Sequence, residues 1–282
     1  MIDMRKYIHD CIQGFLEEEP DEKLRQVNTP ATNNLFEIRD SGKMDKDFYS
    51  TVAKLLFVAK RAHPDILLTV SFLTTRVSNP DNDDWKKLVR LPAYLKNTGE
   101  LLLILSCNDL KNLTWLIDGS YASHHDMKGQ SGAVLLAGEC AVLLRSNKQK
   151  VNSRSSTESE LIAVDDALPT VQWTKNFMTE QGYDLETLIK EDNRSTMLLM
   201  KNGKLSSGKH TKHIDARYVK DLIDRGVVEI DHCVTEDTIA DFLTKPLQGK
   251  RFLRMREIIL NSTPSVDHRE YVGKQFPRIM LN

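Results

Sequence analysis

Near residue 100 the spacing of apolar residues changes from helical to extended, and this change constrains the fold more than any other feature. Before it, Met4, Tyr7, Ile8, Cys11, Ile12 and Phe15 recur at steps of three and four, which makes one face of a helix over 4–16. A second helix is expected over 46–62, with Phe48, Val52, Leu55, Leu56 and Ala59 inward. A third begins at Pro64, where a first helical turn tolerates proline, and runs to about Val77. A fourth carries Trp85, Leu88, Val89 and Leu95, with a kink expected at Pro92 and an end at Asn97-Thr98-Gly99. After the change, 113–118 alternates like a strand, and 131–136 and 140–144 form a hairpin through Ala137-Gly138-Glu139. A long helix follows Arg154 and is expected to break near Pro169. Then come a strand over 188–191 ending at Asp192, helices over 194–202 and 212–224, a strand over 227–233 and a short helix over 237–247. The order predicts an α/β domain behind a mainly helical segment.

Composition narrows the class. The chain has 282 residues, 28% charged, with a net charge of −1, so no global basic excess marks it as a nucleic-acid coat. An acidic cation site can offset a basic binding strip, and a nucleic-acid enzyme stays open. Cys11, Cys107, Cys140 and Cys233 include no close pair, which excludes a zinc knuckle or finger and argues against a disulfide scaffold. No apolar run approaches the roughly 18 residues that span a bilayer, and MIDMRKYIHD carries acids, unlike a signal peptide.

Four acids stand at telling places. Asp118 ends the first strand before Gly119-Ser120, Glu160 lies in the helix after the hairpin, Asp192 ends the next strand, and Asp241 opens the last helix. Strand ends and a helix start can converge on one edge of a mixed sheet. Four clustered carboxylates repel one another unless cations neutralise them. Two divalent ions about 4 Å apart would do so and could activate water for attack on a phosphodiester. Hard oxygen ligands favour Mg²⁺ or Mn²⁺ over zinc. Each acid alone has an ordinary reading: Asp118 as a loop residue, Asp192 as a strand-end acid, Asp241 as a charge at a helix start. Glu158 rivals Glu160, but two residues on a helix are about 200° apart, so only one can face the site. Glu160 is preferred because Leu161, Val164 and Ala167 mark the buried face beside it; Glu158 is left solvated or capping the helix through Ser155.

Taken in order, these residues resemble the C-terminal part of a copia-type retrotransposon polyprotein, the end of the reverse transcriptase followed by ribonuclease H. The motifs are Ile117-Asp118-Gly119-Ser120-Tyr121-Ala122, His125-Asp126-Met127-Lys128-Gly129-Gln130-Ser131-Gly132, Asn147-Lys148-Gln149-Lys150 before Ser155-Ser156-Thr157-Glu158-Ser159-Glu160-Leu161, Glu191-Asp192-Asn193, Thr211-Lys212-His213-Ile214-Asp215, and Ala240-Asp241-Phe242-Leu243-Thr244-Lys245. Upstream, His63-Pro64-Asp65-Ile66 and the stretch from Trp85-Lys86-Lys87-Leu88 to Tyr94-Leu95 resemble the helical segment between polymerase and ribonuclease H. The resemblance covers roughly 2–260. It implies a ribonuclease H-like five-stranded mixed sheet flanked by helices, with Asp118, Glu160, Asp192 and Asp241 as ligands of two Mg²⁺ or Mn²⁺ ions. The implied reaction is hydrolysis of the RNA strand of an RNA–DNA hybrid. The expected division is 1–105 as a remnant of the reverse transcriptase thumb or connection, 106–248 as ribonuclease H, and 249–282 as a C-terminal helix and tail. The implied setting is a cytoplasmic retroelement particle or the nucleus, with the missing polymerase portion as a further partner and no membrane.

The sequence departs from that family in three ways. No Tyr-x-Asp-Asp or Phe-x-Asp-Asp occurs; the Asp-Asp pairs are Asp83-Asp84 and Asp165-Asp166, so DNA polymerisation is not expected. No histidine lies in 234–240 before the last aspartate, and His213 and His232 read as structural or surface residues. Pro92 and Pro169 interrupt expected helices, which keeps a decayed, non-catalytic copy as the alternative. An integrase-like strand-transfer enzyme is disfavoured by the glutamate in the first helix of the domain and the acid at its last. For substrate contact, Arg145, Lys148, Lys150 and Arg154 run without an acid, and so do Lys201, Lys204, Lys209, His210 and Lys212. Lys148, Lys150, Arg154 and Lys212 are candidates to hold phosphates. Asn147, Gln149, Asn152 and Ser153 are candidates to bond 2′-hydroxyls. Trp115 and Trp173 read as core.

Overall fold

The computed structural model describes residues 4–39, 42, 47–105, 111–138, 140–203, 216–233 and 238–261. In chain order the helices and strands are α1 (Arg5–Glu18), α2 (Phe48–Arg61), α3 (Leu67–Thr74), α4 (Asn82–Thr98), β1 (Asn112–Ser120), β2 (Gln130–Ala137), β3 (Cys140–Lys148), α5 (Ser156–Glu180), β4 (Glu186–Glu191), α6 (Arg194–Asn202), α7 (Ala216–Asp224), β5 (Glu229–His232) and α8 (Gly249–Leu260). They group into two compact units, one drawn from residues 1–104 and 245–262, the other from 105–244.

The first unit is helical. Pro64 opens a 3-10 turn, Pro64–Ile66, that leads into α3. Asp81 caps α4 by accepting from Asp83 N–H at 2.7 Å and Asp84 N–H at 2.9 Å, while the Asp84 carboxylate accepts from Asp81 N–H at 3.1 Å. This reciprocal box satisfies the orphan donors of the first turn. The helix then runs through Pro92 as one element. The helix α8, which the sequence reading placed in a separate C-terminal segment, is part of this unit. Its Arg256 Nη1 donates to the Tyr94 hydroxyl at 3.2 Å, and that hydroxyl donates to buried Asp65 at 2.6 Å. Among the described residues no helix is long and apolar enough to cross a membrane.

The second unit is built on one five-stranded mixed sheet of order β3-β2-β1-β4-β5. The strand β2 is antiparallel to β1 and β3, whereas β4 is parallel to β1 and β5 parallel to β4. This is the sheet flanked by helices that the resemblance implied. Alternation sends Trp115 and Ile117 of β1, Ala133 and Leu135 of β2, Ile189 of β4 and Ile230 of β5 into one core. Leu161, Val164, Leu168 and Val171 of α5 and Val219 and Leu222 of α7 close it.

Three local expectations are corrected. The helix α5 does not break near Pro169; it is continuous over 25 residues. The carbonyl that loses its partner there belongs to Asp165, which is exposed, so water can serve it, and buried Leu168 and Val171 hold the helix on either side. In place of a helix over 237–247 stands a short 3-10 helix, Ile239–Leu243. Trp115 is fully buried as expected, but Trp173 is 61% exposed.

Candidate metal centre

The parallel pairing of β1 with β4 brings their C-terminal ends to one edge of the sheet, and Asp118 and Asp192 come with them. The N-terminal turns of α5 bring Glu160 to the same edge. The helix starts where it does because Ser155 Oγ accepts from Glu158 N–H at 3.2 Å and Glu158 Oε2 accepts from Arg154 N–H at 2.6 Å. Glu158 is therefore a capping acid, bonded one residue earlier than in the usual box. Glu160, two positions on, turns to β1 and accepts from Gly119 N–H at 2.6 Å. One carboxylate oxygen each from Asp118, Glu160 and Asp192 then lie within 4.8 Å of one another.

Gly119 makes this approach possible. A Cβ there would stand 2.4 Å from the Ser159 carbonyl oxygen, so only a residue without one lets α5 seat against β1. Gly132, opposite Asp118 on β2, is equally confined, by Thr244 Cγ2 at 2.7 Å and the Ala240 carbonyl oxygen at 3.0 Å.

The electrostatics are those of buried acids that repel one another. Burial, then the charges of Asp118, Glu191 and Asp192, push the Glu160 carboxyl up to about 10 despite the Gly119 N–H. Asp118 is 1% exposed and Glu160 7%. Glu191 is a fourth acid at this edge that the sequence reading passed over. It is fully buried, and burial with the charges of Asp192 and Asp118 raises it to about 8, against the Asn193 N–H that bonds its Oε1 at 2.9 Å. Its Oε2 is buried without a hydrogen-bond partner. The signal was available in the alternation Leu185, Thr187, Ile189, Glu191, which puts an acid on the buried parity of a strand. Hard oxygen donors, buried and mutually repelling, fit a divalent cation such as Mg²⁺ or Mn²⁺.

Asp241 is not in the converging group. It is buried in the 3-10 helix packed on β1 and β2, three residues before Thr244, whose hydroxyl donates to Asp118 Oδ2. The basic strap is divided. Asn147, Lys150 and Arg154 are exposed. Lys148 pairs with Asp126 at 2.8 Å, and Asn152 Nδ2 donates to the Asp126 carbonyl at 3.0 Å. Gln149 is buried: its Nε2 donates to the Ser159 carbonyl at 2.9 Å and to Ser131 Oγ at 3.2 Å, and its Oε1 accepts from Ser159 Oγ at 3.2 Å. That amide is committed to joining β3, β2 and α5. Ser153 is buried too, its Oγ without a hydrogen-bond partner. Lys212 and His213 lie outside the described residues.

No protein-family model matches the chain. Among curated proteins it is similar to the retrovirus-related Pol polyprotein of transposon TNT 1-94 of Nicotiana tabacum, with 27% identity over 273 residues, 92% of this chain and 20% of that one. It is 28% identical over 235 residues to the Pol polyprotein of transposon RE2 of Arabidopsis thaliana, covering 81% of this chain and 16% of that one. It is 24% identical over 249 residues to the transposon Ty1-DR6 Gag-Pol polyprotein of Saccharomyces cerevisiae, covering 82% and 14%. The chain thus spans a fifth or less of the length of these relatives. Among solved structures it is similar to LC11-RNase H1 isolated from compost, with 16% identity and a TM-score of 0.39 over 48% of this chain and 93% of that one. RNase H1 from Halobacterium salinarum gives 16% identity and a TM-score of 0.30 over 47% and 94%. Over most of its length, then, the chain is homologous to the Pol polyproteins of copia/Ty1-type retrotransposons.

Proposed function

We propose that the second unit is the ribonuclease H part of such a polyprotein and hydrolyses the RNA strand of RNA–DNA hybrids. The observation that carries this is the convergence of Asp118, Glu160 and Asp192, their oxygens within 4.8 Å at one sheet edge, where burial and neighbouring acids raise Glu160. These three would hold the cations. When bound, two Mg²⁺ or Mn²⁺ ions supply an activated water and a sink for the charge on the leaving oxygen. Asp241 belongs to the same reading as a fourth ligand, supported by the burial of its 3-10 helix on β1 and β2 and by the Thr244 link to Asp118.

The chain's own groups do the positioning. Gly119 N–H orients Glu160, and the cap at Ser155 sets the rotation of α5 that brings Glu160 rather than Glu158 to the edge. Exposed Asn147, Lys150 and Arg154 flank this helix start and are suited to 2′-hydroxyls and phosphates. The helical first unit is a remnant of the reverse transcriptase thumb or connection, and the complete polyprotein is the natural partner.

The test is cleavage of a strand-labelled RNA–DNA hybrid in Mg²⁺ and in Mn²⁺, with Asp192→Asn beside the parent. Cutting of the RNA strand alone by the parent and none by the variant supports the proposal. A folded parent that binds hybrid and leaves it intact in both metals would overturn it in favour of a decayed, non-catalytic copy.

A further inference from the structure

Thr244 closes the 3-10 helix that carries Asp241. Its N–H returns to the Asp241 carbonyl at 3.2 Å, and its hydroxyl donates to Asp118 Oδ2. The hydroxyl has one proton to give. The other acceptor, the Asp241 carbonyl, stands at 3.4 Å, so the proton goes to the carboxylate. Thr244 is 1% exposed, and the link joins residues 126 apart in sequence.

The peptide before it is pinned by a buried chain of hydrogen bonds. Ser146 Oγ donates to the Leu243 carbonyl at 2.6 Å. With its proton so used, Ser146 Oγ accepts from Gln130 Nε2 at 2.8 Å. Gln130 Oε1 must then be the acceptor for His124 Nε2–H, also at 2.8 Å. His124, Gln130 and Ser146 are all buried. The chain therefore runs from the loop after β1, across the ends of β2 and β3, to the segment that touches Asp118. Gly132 leaves the space in which Thr244 sits, its absent Cβ falling 2.7 Å from Thr244 Cγ2.

We propose that Thr244 is a positioning residue for Asp118, held on it by the His124–Gln130–Ser146 chain. By bonding Oδ2 it fixes the carboxylate's rotation, so that the oxygen offered to a cation stays within reach of those of Glu160 and Asp192. Hydrogen-bond partners of ligating carboxylates act in this way at metal sites, and losing one typically costs ten- to a hundred-fold in metal affinity. The inference rests on the divalent-cation reading of the site.

The experiment is calorimetric titration of the full chain with Mn²⁺, accompanied by thermal melting, for the parent, Thr244→Val, Thr244→Ser, Ser146→Ala and Asp192→Asn. Thr244→Val keeps the shape and removes the donor. It should retain a cooperative melt and weaken Mn²⁺ binding at least about tenfold. Thr244→Ser should restore most of that affinity, and Ser146→Ala should lose part of it. A folded Thr244→Val that binds Mn²⁺ like the parent overturns the proposal. So does a Thr244→Ser as weak as Thr244→Val, because the donor would then be present without the affinity. If Thr244→Val does not fold, Ser146→Ala decides, and parental affinity there overturns the proposal. A parent that binds no Mn²⁺, or an Asp192→Asn that binds as well as the parent, overturns the cation reading itself and this inference with it.

Discussion

The backbone N–H of Gly119 donates to Glu160 Oε2 at 2.6 Å, joining the end of a strand to the first turns of a helix. The same glycine lets the helix come that close. In Gly119→Ala the new methyl would lie 2.4 Å from the Ser159 carbonyl oxygen and 2.8 Å from its carbon, both backbone atoms. Neither can rotate away, so β1 and α5 must part. Overpacking of this kind costs about 1–3 kcal/mol. Urea denaturation of Gly119→Ala should show that loss. Divalent binding should fall as well, because Glu160 is carried off with the helix. Unchanged stability would mean that α5 does not seat against β1 as described.

The two glutamates of α5 should separate cleanly. Glu158→Ala removes a cap and should cost about 1 kcal/mol while leaving Mn²⁺ binding intact, since its carboxylate bonds only the Arg154 N–H among the contacts described. Glu160→Gln should do the opposite. It removes one of several buried acids that repel one another, so the metal-free protein should melt no lower than the parent, yet Mn²⁺ binding should be lost. Melting curves and titrations of the two variants check this, and an exchange of their phenotypes would exchange their roles.

Why some of this was legible in the sequence, and some not, follows from how local each signal is. The period change near residue 100 separates the helical unit from the sheet because patterning reports which face of each element is buried. The choice of Glu160 over Glu158 follows from helical rotation together with the apolar face that Leu161, Val164 and Ala167 mark. Pro169 misled because the cost of a missing helical N–H depends on whether water reaches the orphaned carbonyl, and the exposure of Asp165 is a tertiary fact. Gln149 reads as a substrate contact beside Lys148 and Lys150, yet it is buried among Ser131 and Ser159, residues no nearer than ten positions away. Glu191 was hidden by its neighbour: strand alternation assigns one of two adjacent acids to the site, and only the end of β4 at Glu191 lets both approach it.

Trp173 and Trp115 should behave as opposites. Trp173 lies on the solvent side of α5, stacked on Phe177 with centroids 5.3 Å apart and planes at 13°. Such a pair is worth about 0.5–1.5 kcal/mol, so Trp173→Ala should cost no more than that. Trp115 fills the core between β1 and α5, and Trp115→Ala should cost about 3–5 kcal/mol. Acrylamide quenching checks the assignment independently. The third tryptophan, Trp85, is 6% exposed, so most quenchable emission should vanish in Trp173→Ala. Retention of that quenchable emission would place Trp173 in the core after all.

The buried histidine makes one contribution to stability sensitive to acid. Burial holds His124 below its ordinary value of 6.5, against the hydrogen bond to Gln130, which favours the charged ring. In the unfolded chain the same imidazole titrates near 6.5. Below that pH the unfolded state therefore binds a proton that the folded state resists, and the sign of the linkage makes this group's contribution fall as pH drops. The contribution is fully present above the unfolded value and is lost as pH falls toward the folded one, at most about 1.4 kcal/mol per pH unit for one group. In urea titrations without divalent ions the raised carboxyls of Glu160 and Glu191 act with the opposite sign, since the folded state then holds protons that the unfolded chain has lost. His124 is therefore read as a difference: His124→Gln, which keeps a donor for Gln130 and cannot charge, should gain more unfolding free energy than the parent as pH falls from about 7 to about 5. Equal slopes for parent and variant would remove His124 as a source of acid sensitivity.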